Sequence, residues 1–257
     1  MAHYIVFDLE FNQDLTSEQI TGTTKASYPF EIIQIGAIKL DKQLSTLAYF
    51  NRYVKPTIYS KISPFITDLT GITTEQLHYE ETFPEVYQAF IDFMGDPDAI
   101  LLSWGNSDIK ELYRMAVHFQ MDLKLLPKHY IDLQPYASLY LKHPKTRQLR
   151  LQYTVEQLLI PQPYPFHSAV HDAYYTAEVY KKIKSCEMQV KIYDPFPLYN
   201  KAKLPKQGKF IDYDALYLQF EKMFYRPITI EEKQMIKLAY QMGKTGQFIK
   251  MNDPKLK

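Results

Sequence analysis

The feature that most constrains this chain lies in its first thirteen residues, MAHYIVFDLEFNQ, where the apolar run Tyr4-Ile5-Val6-Phe7 ends in Asp8 and Glu10. A short run rich in β-branched and aromatic residues reads as a core strand. Side chains alternate between the two faces of a strand, so both carboxylates point the same way, about 7 Å apart along the chain. Two like charges beside a core repel each other and resist desolvation unless a cation or a proton neutralises them. The other reading is a strand that runs out into solvent, where both acids are simply hydrated. The first thirteen residues leave both open.

Residues 12–30 (NQDLTSEQITGTTKASYPF) are polar, lack periodicity and read as a long loop. Residues 31–38 (EIIQIGAI) form a buried strand, and residues 47–54 a third that Pro56 ends. Helical spacing over 84–94 stops at Gly95, and a strand follows over 99–104. Asn106 or Ser107 caps a helix through His118, with Ile109, Leu112, Tyr113 and Ala116 on one face. A short strand is predicted over 130–133, a short helix beginning at Thr154 and running to Leu159, and a longer helix over 168–183. Three strands and then alternating helices and strands imply an α/β fold, a mixed sheet covered by helices. At 257 residues and 46% hydrophobic, the chain suits one domain of ordinary size plus an extension.

The composition changes after Ile183. Pro195, Pro197 and Pro205 punctuate a connector that carries Lys201, Lys203, Lys206 and Lys209, and two helices follow, over 213–225 and 230–242. Thr229-x-x-Glu232 gives the second a capping box. The chain thus divides into a domain over 1–185 and a basic, helical extension over 186–257. The net charge of +1 conceals an asymmetry: residues 181–257 hold 16 Lys+Arg against 8 Asp+Glu, leaving 14 against 21 in residues 1–180. An acidic first part suits cations and a basic last part suits a polyanion, although a solvated basic tail gives the same bias. The single cysteine, Cys186, excludes an internal disulfide framework and a cysteine-based zinc site. Acids interrupt the first apolar run and no basic segment precedes it, unlike a signal peptide, and no apolar run is long enough to cross a bilayer. A soluble cytoplasmic protein with no membrane partner is expected. Nothing in the sequence sets its oligomeric state.

Two further stretches bear on the opening carboxylates. The strand over 99–104 runs into Trp104-Gly105-Asn106-Ser107-Asp108, an acid in the first turn of a helix. Later, His167-Ser168-Ala169-Val170-His171-Asp172-Ala173 sets an imidazole five residues before a carboxylate as another helix begins. Each has an ordinary explanation, since an acid at a helix start complements the helix dipole. Together, Asp8, Glu10, Asp108 and Asp172 are four acids at strand ends or helix starts, where α/β sheets build their sites. Hard carboxylate oxygens in this number suit Mg²⁺ or Mn²⁺, and two such ions about 3.5–4 Å apart support phosphodiester hydrolysis. His167 then serves as the general base.

FDLEF, WGNSD and HSAVHDA, in that order and with the H-x4-D spacing in the third, resemble the three motifs of the DEDDh family of 3′-to-5′ exonucleases, in the group of RNase T and the proofreading subunits. The resemblance covers about residues 3–183. EIIQIGAIKLD looks like the family's second strand, and SPFITDLTGIT like a helix and turn that contact the terminal nucleotide. KPTIYSKISPFITDLTGIT together with SWGNSD looks closest to the branch that trims structured and small RNAs, with its bacterial relatives. The resemblance implies an RNase H-like mixed five-stranded sheet flanked by helices. It implies that Asp8 bridges two ions, that Glu10 and Asp172 complete one site, and that Asp108 holds the second ion through water. Leu9, Phe11 and Ile72 match positions that grip the terminal nucleotide, and are otherwise ordinary core candidates. The function implied is a two-metal 3′-5′ exonuclease using Mg²⁺ or Mn²⁺ on single-stranded 3′ ends, RNA favoured, releasing nucleoside 5′-monophosphates. A DNA proofreading or repair exonuclease, or a catalytically weak nucleic-acid-binding regulator of the same fold, are the alternatives. Two features depart from the family pattern: the long loop 12–30, and His171 where an acid is frequent. Trp104 reads as a core ring in preference to a stacking surface for a base.

Overall fold

Strand β1 (Tyr4–Asn12) lies inside a six-stranded sheet whose order is β3-β2-β1-β4-β5-β6. The computed structural model describes residues 3–13, 30–184, 187–195 and 212–245. Most of the expected loop 12–30, and all of Cys186 and the four connector lysines, fall outside them. Strands β2 (Glu31–Leu40) and β3 (Thr46–Tyr53) make an antiparallel meander with β1, in the register Asp8↔Gly36 and Gly36↔Asn51. On the other side β4 (Ile100–Ser103) runs parallel to β1, and β5 (His129–Asp132) parallel to β4. β1, β4 and β5 therefore all end at one edge of the sheet, where open α/β sheets place their sites.

The sixth strand is β6 (Lys191–Ile192), antiparallel to β5. It corrects the expected count of five and lies within residues read as connector. Both of its residues are exposed, so it carries no hydrophobic period that a sequence could reveal.

Alternation along β1 divides the core. Ile5, Phe7 and Leu9 join Phe83, Tyr87 and Phe90 of α3 (Phe83–Met94) and Ile109, Leu112 and Tyr113 of α4 (Ser107–His118). Val6 joins the opposite core, with Leu102, Ile131 and the helices α5 (Gln134–Tyr140), α6 (Leu151–Gln157) and α7 (Ala169–Ile183). Two short helices, α1 (Pro64–Thr70) and α2 (Thr74–Leu77), cover a smaller cluster around Ile33. α3 forms as expected: a capping box joins Thr82 to Glu85, and Gly95 ends the helix at φ 69°. α6 begins at Leu151 and not at Thr154, whose hydroxyl donates to the Arg150 carbonyl from inside the helix (3.1 Å). A threonine that bonds one turn back looks like a cap in sequence. α5 was not foreseen, because Pro135 reads as a breaker although the first turn of a helix tolerates it.

The approach of α7 to the sheet depends on one glycine. A Cβ on Gly36 would lie 2.0 Å from the Val170 nitrogen and 2.1 Å from the Ala169 carbonyl carbon. Beside it, the Gln34 Oε1 accepts a hydrogen bond from the Ala169 N–H (3.1 Å). The first turn of α7 is thereby held against β2.

The chain separates into two compact units, Met1–Leu204 and Pro205–Lys257. In the second, Asp212 caps α8 (Tyr213–Phe224), and Tyr225 ends it at φ 55°. The Arg226 guanidinium makes a two-pronged bond to Glu232 (2.6 and 2.9 Å) at the start of α9 (Ile230–Thr245), and the Tyr217 hydroxyl donates to the Lys233 carbonyl (3.4 Å). Among the described residues no helix is long and apolar enough to cross a membrane.

Candidate active site

Asp8 and Glu10 leave β1 on the face turned toward α7, and Asp172 sits in the first turn of that helix. One carboxylate oxygen from each lies within 4.8 Å of the others. Asp108, in the first turn of α4, is only 6% exposed. It stands outside that trio, but its charge acts on Asp8. The four acids singled out in the sequence therefore converge, three tightly and one beside them.

Burial is the leading cause that keeps these carboxyls protonated beyond their usual range, and mutual repulsion among them adds to it. Glu10 and Asp108 are each pushed up to about 8, and Asp8 well above its ordinary value. Asp172 rises to about 6, opposed by the His167 backbone N–H, which donates to its Oδ2 (3.2 Å). Its other oxygen, Oδ1, is buried and has no hydrogen-bond partner. None of the ion pairs among the described residues engages these acids. A buried anionic oxygen without a partner is costly. Hard oxygens at this spacing, with one of them orphaned, fit a divalent cation.

His167 is exposed, on the loop that enters α7, at φ 67°. That loop is anchored to the helix. The Tyr175 hydroxyl accepts from the Tyr164 N–H (3.0 Å) and donates to the Tyr164 carbonyl (2.5 Å). The His171 ring stacks on Tyr164, with centroids 4.8 Å apart and planes at 10°. Its Nδ1 lies 3.1 Å from the Pro165 carbonyl, which can only accept, so this nitrogen carries a proton. His171 is thus occupied in holding the loop.

The expected substrate contacts separate. Leu9 is 4% exposed in the core under α3 and α4, and Ile72 is 3% exposed in a cluster with Ile33, Ile62, Ile66 and Leu77. Phe11 is partly exposed, its ring 5.7 Å from that of Phe30, and alone of the three offers side-chain surface. Trp104 packs against the core under α7 while its Nε1 donates to the Leu149 carbonyl (3.0 Å), which is the core reading.

Sequence reasoning missed Asp132. It ends β5, is 8% exposed, and accepts hydrogen bonds from the N–H groups of Gln134 (3.2 Å) and Gly105. Burial raises its carboxyl, and its charge contributes to the rise at Asp108. The signal was present: Tyr130-Ile131-Asp132 repeats the pattern of an apolar strand closed by an acid. Glu31 was also missed, a buried carboxylate that accepts from Thr57, Ile58 and Tyr59 and fixes the segment leading to α1.

A mixed sheet of this order, with acids gathered where β1 and β4 end, defines an RNase H-like protein with an acidic site whose spacing fits a cation. A family model described as Exonuclease (RNase_T) matches residues 5–180, and the chain belongs to that family. It is 30% identical over 212 residues to the PolC-type DNA polymerase III of Thermotoga maritima, covering 82% of this chain and 14% of that one. It is 23% identical over 195 residues to the 3′-5′ exoribonuclease 1 of Rattus norvegicus, covering 71% of this chain and 56% of that one. The chain therefore spans only part of the length of these curated relatives. Among solved structures, the nuclease domain of 3′hExo, a DEDDh family member, bound to rAMP, superposes with a TM-score of 0.62 at 22% identity, covering 74% of this chain and 96% of that one.

Proposed function

We propose that this chain is a two-metal-ion 3′-5′ exonuclease that removes nucleoside 5′-monophosphates from single-stranded 3′ ends, with RNA favoured. The observation that carries the reading is the convergence of Asp8, Glu10 and Asp172, with Asp172 Oδ1 buried and unpartnered. Asp8, Glu10 and Asp172 would hold one ion, and Asp8 and Asp108 would hold the other. Bound Mg²⁺ or Mn²⁺ supplies a more acidic water and offsets charge on the leaving oxygen. His167 accepts the proton of the attacking water as its oxygen bonds to phosphorus, and the bond from phosphorus to the 3′ oxygen of the preceding nucleotide breaks. The anchoring of its loop by Tyr164, His171 and Tyr175 supports that role. Phe11 offers a face to the terminal nucleotide and packs against the core that holds Leu9, while Ile72 lies in the separate cluster under α1 and α2.

Residues 1–185 make the catalytic domain in this reading, and residues 186–257 a basic extension. A cytoplasmic setting agrees with the single cysteine. The exoribonuclease relative supports RNA, whereas the polymerase relative, at higher identity, supports DNA as the second reading. A catalytically weak regulator is the less economical reading, since all four acids and His167 are present.

The test is hydrolysis of end-labelled RNA and DNA oligomers, each end blocked in turn, in Mg²⁺ or Mn²⁺. Stepwise shortening from an open 3′ end, faster for RNA, is expected. Cleavage that persists with the 3′ end blocked, or none with either ion, would overturn the proposal.

A further inference from the structure

The segment that joins α5 to α6, KHPKTRQLR over residues 142–150, contains Lys142, Lys145, Arg147 and Arg150 and no acid. Residues 1–180 hold 14 Lys+Arg against 21 Asp+Glu, so four of those 14 fall within nine positions of an otherwise acidic stretch. All four are exposed, and none of the ion pairs among the described residues engages them. An open cavity of about 410 Å³ is lined by Arg147, Gln148, Arg150, Gln152, Tyr153 and Glu156. Glu156, the one acid among these, accepts from the Gln152 amide (3.1 Å) and keeps its charge, so the two arginines leave the lining with a net positive charge.

The backbone of this segment is held in place. Ser138 Oγ donates to the Arg147 carbonyl (2.6 Å), and the Arg147 N–H to the Pro144 carbonyl (2.9 Å). The Leu149 carbonyl accepts from both Trp104 Nε1 (3.0 Å) and Gln134 Nε2 (2.8 Å). Trp104 opens the corner that leads into α4 and Asp108, so the basic segment is tied to the same corner as a site carboxylate. His143 Nδ1, 3.2 Å from an Arg147 amine that can only donate, is an acceptor and orients the guanidinium.

We infer that this groove binds the phosphate backbone of a single nucleic-acid strand, on the 5′ side of the bond being cut. The inference rests on the exonuclease reading for the direction of the strand. Cations outside any ion pair attract phosphates without regard to sequence, Gln148 can hydrogen-bond sugar or phosphate oxygens, and the Tyr153 ring offers a stacking face. Such a groove gives a strand an anchor on a domain whose acidic site repels polyanions.

The test compares the full chain with a variant carrying Lys142→Gln, Lys145→Gln, Arg147→Gln and Arg150→Gln. Equilibrium binding of a 20-nucleotide single strand, without added metal, is measured against salt. Every phosphate of a single strand that the variant leaves unneutralised takes about 0.7 from the slope of log K against log salt, so a flattening of about 2 to 3 is expected. With Mg²⁺, the fall in kcat/KM on the 20-mer should exceed the fall on a trinucleotide by at least tenfold. If the fourfold variant melts early, the pair Arg147→Gln and Arg150→Gln, the two cations that line the cavity, carries the same test with a slope change of about 1.4. An unchanged slope, or equal falls on long and short strands, would overturn the groove. Displacement from the groove by polyglutamate, with oligonucleotide binding unaltered in the variant, would reassign it to an acidic protein segment. If the wild-type chain hydrolyses nothing while the slope still flattens, the groove stands and the exonuclease reading falls.

Discussion

Asp172 carries the logic of the site within one side chain. Its Oδ2 receives a backbone N–H from the residue assigned as base, and its Oδ1 is left buried and bare. The first contact couples the entry of α7 to the acid, and the second leaves a negative charge that only a proton or a cation can satisfy. Asp8, whose carboxyl is raised by burial and then by Asp108, Asp172 and Glu10, lies at the centre of the repulsion. Asp8→Asn should therefore abolish hydrolysis while raising the melting temperature of the metal-free protein at pH 8, because the neutral amide removes the cost of either burying a charge or taking up a proton on folding. Residual cleavage near the wild-type rate, read with a labelled oligomer, would separate Asp8 from the chemistry. His167→Ala should retain metal and nucleic-acid binding and lose a factor on the order of 10²–10⁴ in kcat, the usual contribution of a positioned general base. A dead His171→Ala beside an active His167→Ala would transfer the base to the neighbour that now holds the loop.

At the scale of elements, the geometry of the acidic trio depends on how closely α7 lies on β2. Gly36 is the closest point, facing the Ala169–Val170 peptide where a side chain cannot fit. Gly36→Ala must push the first turn of α7 outward, carrying Asp172 away from Asp8 and Glu10. Forcing a methyl into such a contact costs typically 1–3 kcal/mol, read from the denaturant midpoint. Metal affinity should fall in the same variant, and an unchanged affinity would show that the trio does not depend on this contact. The sequence announces β1, β2, β4, α3, α4 and α7, because each pairs a clear apolar period with a cap, a glycine stop or an abrupt acid. The acids at their ends were legible for the same reason. What stayed hidden had no period to show. β6 is two exposed residues paired only through the backbone, α5 begins with a proline, and the cap-like Thr154 belongs to a helix interior. Gly36 could be read as part of a strand, but the helix that crosses it is a contact between residues far apart in sequence. Asp132 was visible as an acid closing a strand, yet lies outside the three quoted motifs, so neither resemblance nor spacing drew attention to it.

For the whole molecule, the buried acids make stability depend on pH and on metal in opposite senses. Glu10 and Asp108 rise from ordinary values of 4.5 and 3.8 to about 8, and Asp172 from 3.8 to about 6. A raised carboxyl in the folded state holds a proton that the unfolded chain has released. Its contribution to stability is fully present below the unfolded value, near pH 4, and is lost as pH climbs through the folded value. The metal-free protein should therefore lose stability from about pH 4 upward, most steeply while all three carboxyls keep their protons in the fold, less steeply above about pH 6 where Asp172 ionises, and level off near pH 8 where Glu10 and Asp108 ionise. A divalent cation binds the ionised carboxylates and competes with those protons, so its stabilising effect has the reverse trend. Thermal melting from pH 5 to 8.5, in chelator and again in excess Mg²⁺ or Mn²⁺, should show two curves that diverge as pH rises. Replacing Asp8 by Asn should narrow the gap, since one source of repulsion and one ligand are gone together. Parallel curves across that range would mean that the acids of β1, α4 and α7 neither repel one another nor share a cation. In that case the paired carboxylates of FDLEF would be the hydrated end of a strand, the other meaning their sequence allowed.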